Sequence, residues 1–234
     1  MRQRIWELDA FRGICILGMV VVHFCYDLDA LYQLQLPWVY DLALQWGGVL
    51  FLLLSGLCAT LGKHHIRRGI VVFLCGMLCT AVTAGMYLLG LASKGIVIYF
   101  GVLHCLGTCM PLWMLLRKLP LWALAAIGIV LAAAGLYMQT YPIYGPSWLL
   151  PVGVMYPGFA TSDYFPLLPN LGYFLLGAVL GRTIYHKRST LFPKVDTNLP
   201  PIRFLCACGR HSLLIYLLHQ PIFSAVFALL AYIN

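Results

Sequence analysis

The sequence predicts an all-α polytopic membrane protein of about seven transmembrane helices, with the N-terminus cytoplasmic and the C-terminus extracytoplasmic. Three observations carry this fold class. Hydrophobic residues make up 62% of the 234 residues and charged residues only 9%, with a mean hydropathy of +0.88, well outside the range of soluble domains. Apolar runs recur that approach the roughly 20 residues a helix needs to cross a bilayer. With spans at about 8–31, 43–62, 69–91, 96–116, 121–139, 166–184 and 205–232, basic residues are distributed unevenly between the loops. Arg2, Arg4, Lys63, Arg67, Arg68, Arg117, Lys118, Arg182, Lys187, Arg188, Lys194 and Arg203 fall on one side, and Lys94 on the other. The net charge of +8 is thereby a matter of topology and implies no nucleic-acid partner. Residues 1–234 read as one transmembrane domain. The first apolar run is retained rather than cleaved, because no small-residue cleavage site follows it.

Helix one carries a polar stripe. At about 100° per residue, the steps from Arg12 to His23 return to within about 20° of the starting direction, and Asp9 and Asp27 lie about 60° to one side. Arg12 and His23 are about 16 Å apart along the axis. A charge at the bilayer centre costs roughly 2.5–3.5 kcal/mol, so such residues face a protein interior or a wet cavity. The external segment that follows holds Asp29 and Asp41, with Trp38 and Tyr40 suited to an interfacial belt. In helix two, Ser55-Gly56 lets a neighbouring helix approach closely.

The cluster Lys63–Gly69, KHHIRRG, has two readings: a topological flank on anionic headgroups, or a seat for a phosphorylated donor in which Arg67 and Arg68 present forked donors to phosphate. Helix four places His104 between Gly101 and Gly107 near the bilayer midplane, either bonding a neighbouring helix or contacting substrate. Helix five is apolar nearly all round. The external stretch 140–169, leading into helix six, has six prolines, has five aromatics ahead of Asp163 and holds no Lys or Arg, and reads as a cap over an acceptor site. Asp163 is either an acceptor ligand or a helix cap. Helix seven carries a second polar track of His211, Ser212, Tyr216 and His219, with Pro221 expected to kink the helix near His219.

The nine cysteines suggest no metal site. Cys15, Cys58, Cys75, Cys79, Cys105 and Cys109 lie within spans as small apolar residues, and Cys206 with Cys208 forms a CxC without a second pair. A di-haem carrier would need His23, His104, His211 and His219 matched in pairs on facing helices, which the spacing does not give.

Two polar tracks, a basic cytoplasmic cluster and an aromatic outer cap suggest a reaction across the membrane, from a phosphate-bearing donor inside to an acceptor outside. The phrases LDAFRG, FGVLHCLG, SDYFPLLP and GRHSLLIYLLHQP, with the spacing of Arg12 to His23, resemble the bacterial relatives of heparan-α-glucosaminide N-acetyltransferase. That family belongs to the transmembrane acyltransferase superfamily, which also contains acyltransferase family 3. The resemblance implies an integral protein of the bacterial plasma membrane that moves an acetyl group from cytoplasmic acetyl-CoA to an amine or hydroxyl of an extracytoplasmic sugar or amino sugar. It also implies that His23 is the catalytic residue. In the lysosomal branch the key histidine follows helix one, and here no histidine lies between His23 and His64. A neutral His23 imidazole would take the acceptor's proton or carry the acetyl group, and Asp27, one turn on, would orient it. His23 and His219 are expected at similar depth. Arg12, Arg210 and His211 lie below them with Arg67 and Arg68 as donor contacts, and Tyr216, His219, His104 and Asp163 are acceptor contacts. A transporter or flippase with a polar permeation path is the competing reading. Whether the chain forms a homo-oligomer is left open.

Overall fold

A computed structural model describes residues 4–32 and 47–233. The belt expected at Trp38 and Tyr40, Asp41, the start of the second predicted span and Arg2 lie outside them. Among the described residues the chain is helical, with no strand beyond two isolated bridges. The helices are α1 (Trp6–Tyr32), α2 (Gly48–Leu61), α3 (His65–Leu88), α4 (Val102–Leu116), α5 (Leu121–Thr140), α6 (Leu167–Ile184), α7 (Pro200–Arg210) and α8 (Ser212–Ile233). Four segments, Trp6–Asp29, His65–Leu88, Leu121–Thr140 and Leu167–Ile184, are long and apolar enough to cross a membrane. Gly48–Leu61, Val102–Leu116 and Ser212–Phe227 are shorter apolar helices.

Three boundaries differ from the sequence expectation. α3 starts at His65, so Arg67 and Arg68 belong to its first turn rather than to a loop. α4 starts at Val102, because residues 94–101 form a short 3-10 turn and an extended stretch around Gly95 and Gly101. The last predicted span is two helices, broken at His211, with Pro200 and Pro201 opening α7. Proline is tolerated there because the first turn lacks intrahelical partners for its N–H groups. α8 runs through Pro221 as one helix.

The chain forms two compact units, Met1–Phe51 with Lys187–Asn234, and Leu52–His186. In the first, α1 lies along α7 and contacts α8. A Cβ on Gly13 would overlap the Leu205 carbonyl, and one on Gly209 the Asp9 carbonyl, so the α1–α7 backbones touch. Glu7 extends this contact by accepting from Thr190 Oγ1 and the Leu191 N–H, both at 2.8 Å. In the second unit α3 packs on α4, α5 on α6, and α2 on α6. Gly56 in α2 meets the Phe174 carbonyl of α6, the close approach its small size predicts. Leu124, Gly128, Ala132 and Gly135, at helical spacing, make the buried face of α5. At the α4–α5 turn Arg182 donates to the carbonyls of Leu119, at 2.8 Å, and Arg117, while its guanidinium lies 5.3 Å from the Trp113 ring.

Candidate active site

In the first unit the polar stripe of α1 faces α7 and α8. The rings of His23 and His219 stand 4.9 Å apart, edge to face at 74°. His219 is 8% exposed, and its Nδ1 lies 2.6 Å from the Tyr216 carbonyl. A carbonyl only accepts, so Nδ1 carries the proton, and in the neutral ring Nε2 keeps its lone pair. That Nε2 is buried and has no hydrogen-bond partner among the described residues. Phe223 packs edge-on against His219 at 6.0 Å, and Phe24 contacts Phe223 at 5.4 Å and stacks on Phe227 at 5.9 Å, so the pair has an aromatic wall.

Asp27 has a different partner from the one expected. The Gln220 amide donates to both of its carboxylate oxygens, at 3.0 and 3.3 Å, so Asp27 ties α1 to α8 instead of hydrogen-bonding the His23 ring. Gln220 was not legible as a site residue. It follows His219 by one position, and periodicity alone cannot show that a residue about 100° around the helix meets a carboxylate from elsewhere. Toward the other end of α1, Arg12 Nη1 contacts Asp9 Oδ1 at 3.3 Å and donates to the Gly209 carbonyl at 3.5 Å. Arg210 and His211 are exposed where α7 ends and α8 begins.

In the second unit His104 is 2% exposed. The Gly101 N–H donates to its Nδ1 at 3.2 Å, so Nε2 carries the proton and meets Thr80 Oγ1 at 3.3 Å. Thr80 in turn donates to the Ile98 carbonyl at 2.6 Å. Both imidazole nitrogens are thus used within the fold, which gives His104 the role of a bond between helices. A Cβ on Gly76 would come within 3.0 Å of its ring. Thr80→Val keeps the shape but removes both of these bonds. It should lower stability by about 1–3 kcal/mol, as thermal unfolding in detergent would register, with donor KM unchanged.

Asp163 accepts from the Val102 N–H at 3.1 Å and so caps α4. Its neighbours fasten the loop to residues 96–100: Thr161 donates to the Val97 carbonyl, Ser162 to that of Ile96, and the Phe165 N–H to that of Phe100. Tyr164 donates to the Leu150 carbonyl at 2.8 Å, and burial pushes its hydroxyl up to about 12. The loop read as a cap is therefore an ordered structure. Beside it lies a cavity of about 770 Å³ with Lys94, Tyr99, Trp148 and Tyr156 in its wall. Arg67 lines a second cavity, at the start of α3, and Arg68 is exposed beside it.

A family model described as heparan-alpha-glucosaminide N-acetyltransferase, catalytic, matches residues 4–221, a span that holds both histidines of the pair. No curated protein and no solved structure matches the chain.

Proposed function

Because the chain belongs to the family of heparan-alpha-glucosaminide N-acetyltransferase catalytic domains, a family of transmembrane acetyltransferases, we propose that it moves an acetyl group from acetyl-CoA on the cytoplasmic side to an amine or hydroxyl of a sugar-like acceptor on the other. The observation that carries this reading is the His23–His219 pair, two imidazoles 4.9 Å apart in a transmembrane setting, one with a buried unpartnered nitrogen. His23 serves as base or acyl carrier and His219 as its partner. In direct transfer the acceptor's N–H or O–H proton passes to an imidazole nitrogen while its electron pair attacks the thioester carbonyl carbon. The tetrahedral intermediate collapses by breaking the C–S bond, and the imidazolium returns the proton to the leaving thiolate. In the acyl-carrier route a neutral imidazole nitrogen attacks the thioester carbonyl carbon and the C–S bond breaks to release CoA thiolate. The acceptor then attacks the acetyl-imidazole carbonyl, the C–N bond to the ring breaks, and the acceptor's proton passes through the second imidazole to the thiolate.

Asp27 holds α1 to α8 at the level of the pair and supplies negative charge when an imidazolium forms. Arg210 and His211, exposed in the same unit, meet the donor's phosphates, with Arg12 as a further positive charge. The aromatic cavity beside Lys94 suits the apolar face of a sugar ring. Arg67 lines, and Arg68 stands beside, a separate cavity in the second unit that combines basic and apolar residues.

The deciding experiment uses purified protein in sealed vesicles, with [14C]acetyl-CoA outside and glucosamine inside. Labelled acetyl-glucosamine in the lumen is the expected product. Passage of glucosamine or intact acetyl-CoA without acetyl transfer or hydrolysis would replace the enzyme reading with transport.

A further inference from the structure

The cavity of about 640 Å³ at the start of α3 combines two kinds of surface. One side carries the positive charges of Lys63, Arg67 and Arg117. The other is formed by Ile66, Ile70 and Val71, at i, i+4 and i+5 on α3 and 52%, 53% and 47% exposed, with Met114 from α4. These three residues begin an exposed apolar stripe that continues through Leu74, Leu78 and Val82 along the same helix. In a membrane span such a stripe contacts lipid, so the cavity opens onto the bilayer at the end of α3 where the basic residues gather.

Within the second unit no carboxylate among the described residues stands near this charge. Asp163 is the one carboxylate in the sequence between residues 52 and 186. It caps the N-terminus of α4, whereas Met114 and Arg117 stand at the C-terminal end, about 20 Å away at 1.5 Å per residue. The basic rim is also built on fixed backbone, since Arg182 holds the Arg117 and Leu119 carbonyls and packs against Trp113. Three cations over an apolar wall on the lipid-facing side of a span need an anionic head with an attached hydrocarbon tail.

We infer that this cavity is a binding site for an anionic phospholipid, with the phosphate head among Lys63, Arg67 and Arg117 and an acyl chain along Ile66, Ile70 and Val71. The site goes beyond acetyl transfer and does not depend on it. Arginine supplies forked donors to the phosphate oxygens, and lysine a point charge.

The test is native mass spectrometry of the full chain in detergent, titrated separately with dioleoyl phosphatidylglycerol, dioleoyl phosphatidylcholine and CoA. The wild-type protein should retain phosphatidylglycerol at least about tenfold more tightly than phosphatidylcholine. The K63Q/R117Q variant should lose that preference while keeping wild-type thermal stability and donor KM. Lengthening the wall's polarity with Ile70→Gln should weaken phosphatidylglycerol without restoring binding of any soluble phosphate. Equal retention of both lipids by the wild type would overturn the inference, as would unchanged phosphatidylglycerol binding in K63Q/R117Q. Displacement of phosphatidylglycerol by CoA, with a raised donor KM in the variant, would make the cavity a nucleotide seat and refute the lipid assignment, while leaving the acetyltransferase reading standing.

Discussion

Turnover by the His23→Ala variant is expected to fall by at least about 10²-fold, the usual loss when a general acid–base group is removed, with donor binding and folding close to wild type. His219→Ala should lose turnover on a similar scale, since its ring is within contact of His23 and its buried Nε2 has no hydrogen-bond partner among the described residues, while the change also removes the Nδ1 bond to the Tyr216 carbonyl. The two changes should not multiply. Residues that act as a unit are non-additive, so the His23→Ala/His219→Ala double variant should be about as slow as the slower single variant. Single-turnover acetyl transfer at saturating acetyl-CoA measures this directly. Turnover of His23→Ala within a few-fold of wild type would remove His23 from the chemistry and leave His219 as the base. Gln220→Leu bears on the support of the pair: it frees Asp27 from α8 and should lower turnover by less than either histidine change.

How much of this was legible in the sequence depends on what periodicity encodes. The faces of a helix follow from 3.6-residue spacing, so the stripe of Asp9, Arg12, His23 and Asp27 on α1 was readable, as was the track holding His219. The all-helical, membrane-type architecture was readable from apolar runs. Which residue meets which across helices was not. Asp27 pairs with Gln220, 193 positions away in the chain, and no local pattern marks that choice. His104 and Asp163 show the opposite limit: each has residue chemistry suited to a substrate contact, yet the fold uses one as a two-bond link and the other as a helix cap. Pro200-Pro201 marks the start of α7, but the break at its other end, at His211, has no proline beside it and falls inside a run that reads as one span.

A second large effect concerns stability. Gly209→Val should unfold the α1–α7 contact, because a Cβ there would overlap the Asp9 carbonyl and stand 3.0 Å from the Gly13 nitrogen. Overpacking a close-packed site costs about 1–3 kcal/mol where side chains can yield, and here the obstruction is backbone, which yields least. The expected loss is at or above the top of that range, read as a lower unfolding temperature in detergent and reduced yield of folded protein. Gly18, on the partner helix α1, provides the internal control, since a Cβ there meets nothing within 4 Å. Gly18→Ala should be neutral or gain up to about 1 kcal/mol from helix propensity, so the same kind of substitution changes sign between two glycines of one unit. The consequence reaches the chemistry through Arg12, whose guanidinium contacts Asp9 and the Gly209 carbonyl at this crossing. Displacing α7 takes the Gly209 carbonyl away from the guanidinium and leaves Asp9, on α1 itself, as its partner, so the charge proposed to support the donor shifts. Gly209→Ala, the milder form, should therefore raise donor KM before it abolishes folding. A stable Gly209→Val protein with wild-type donor KM would show that the α1–α7 backbones do not touch as described.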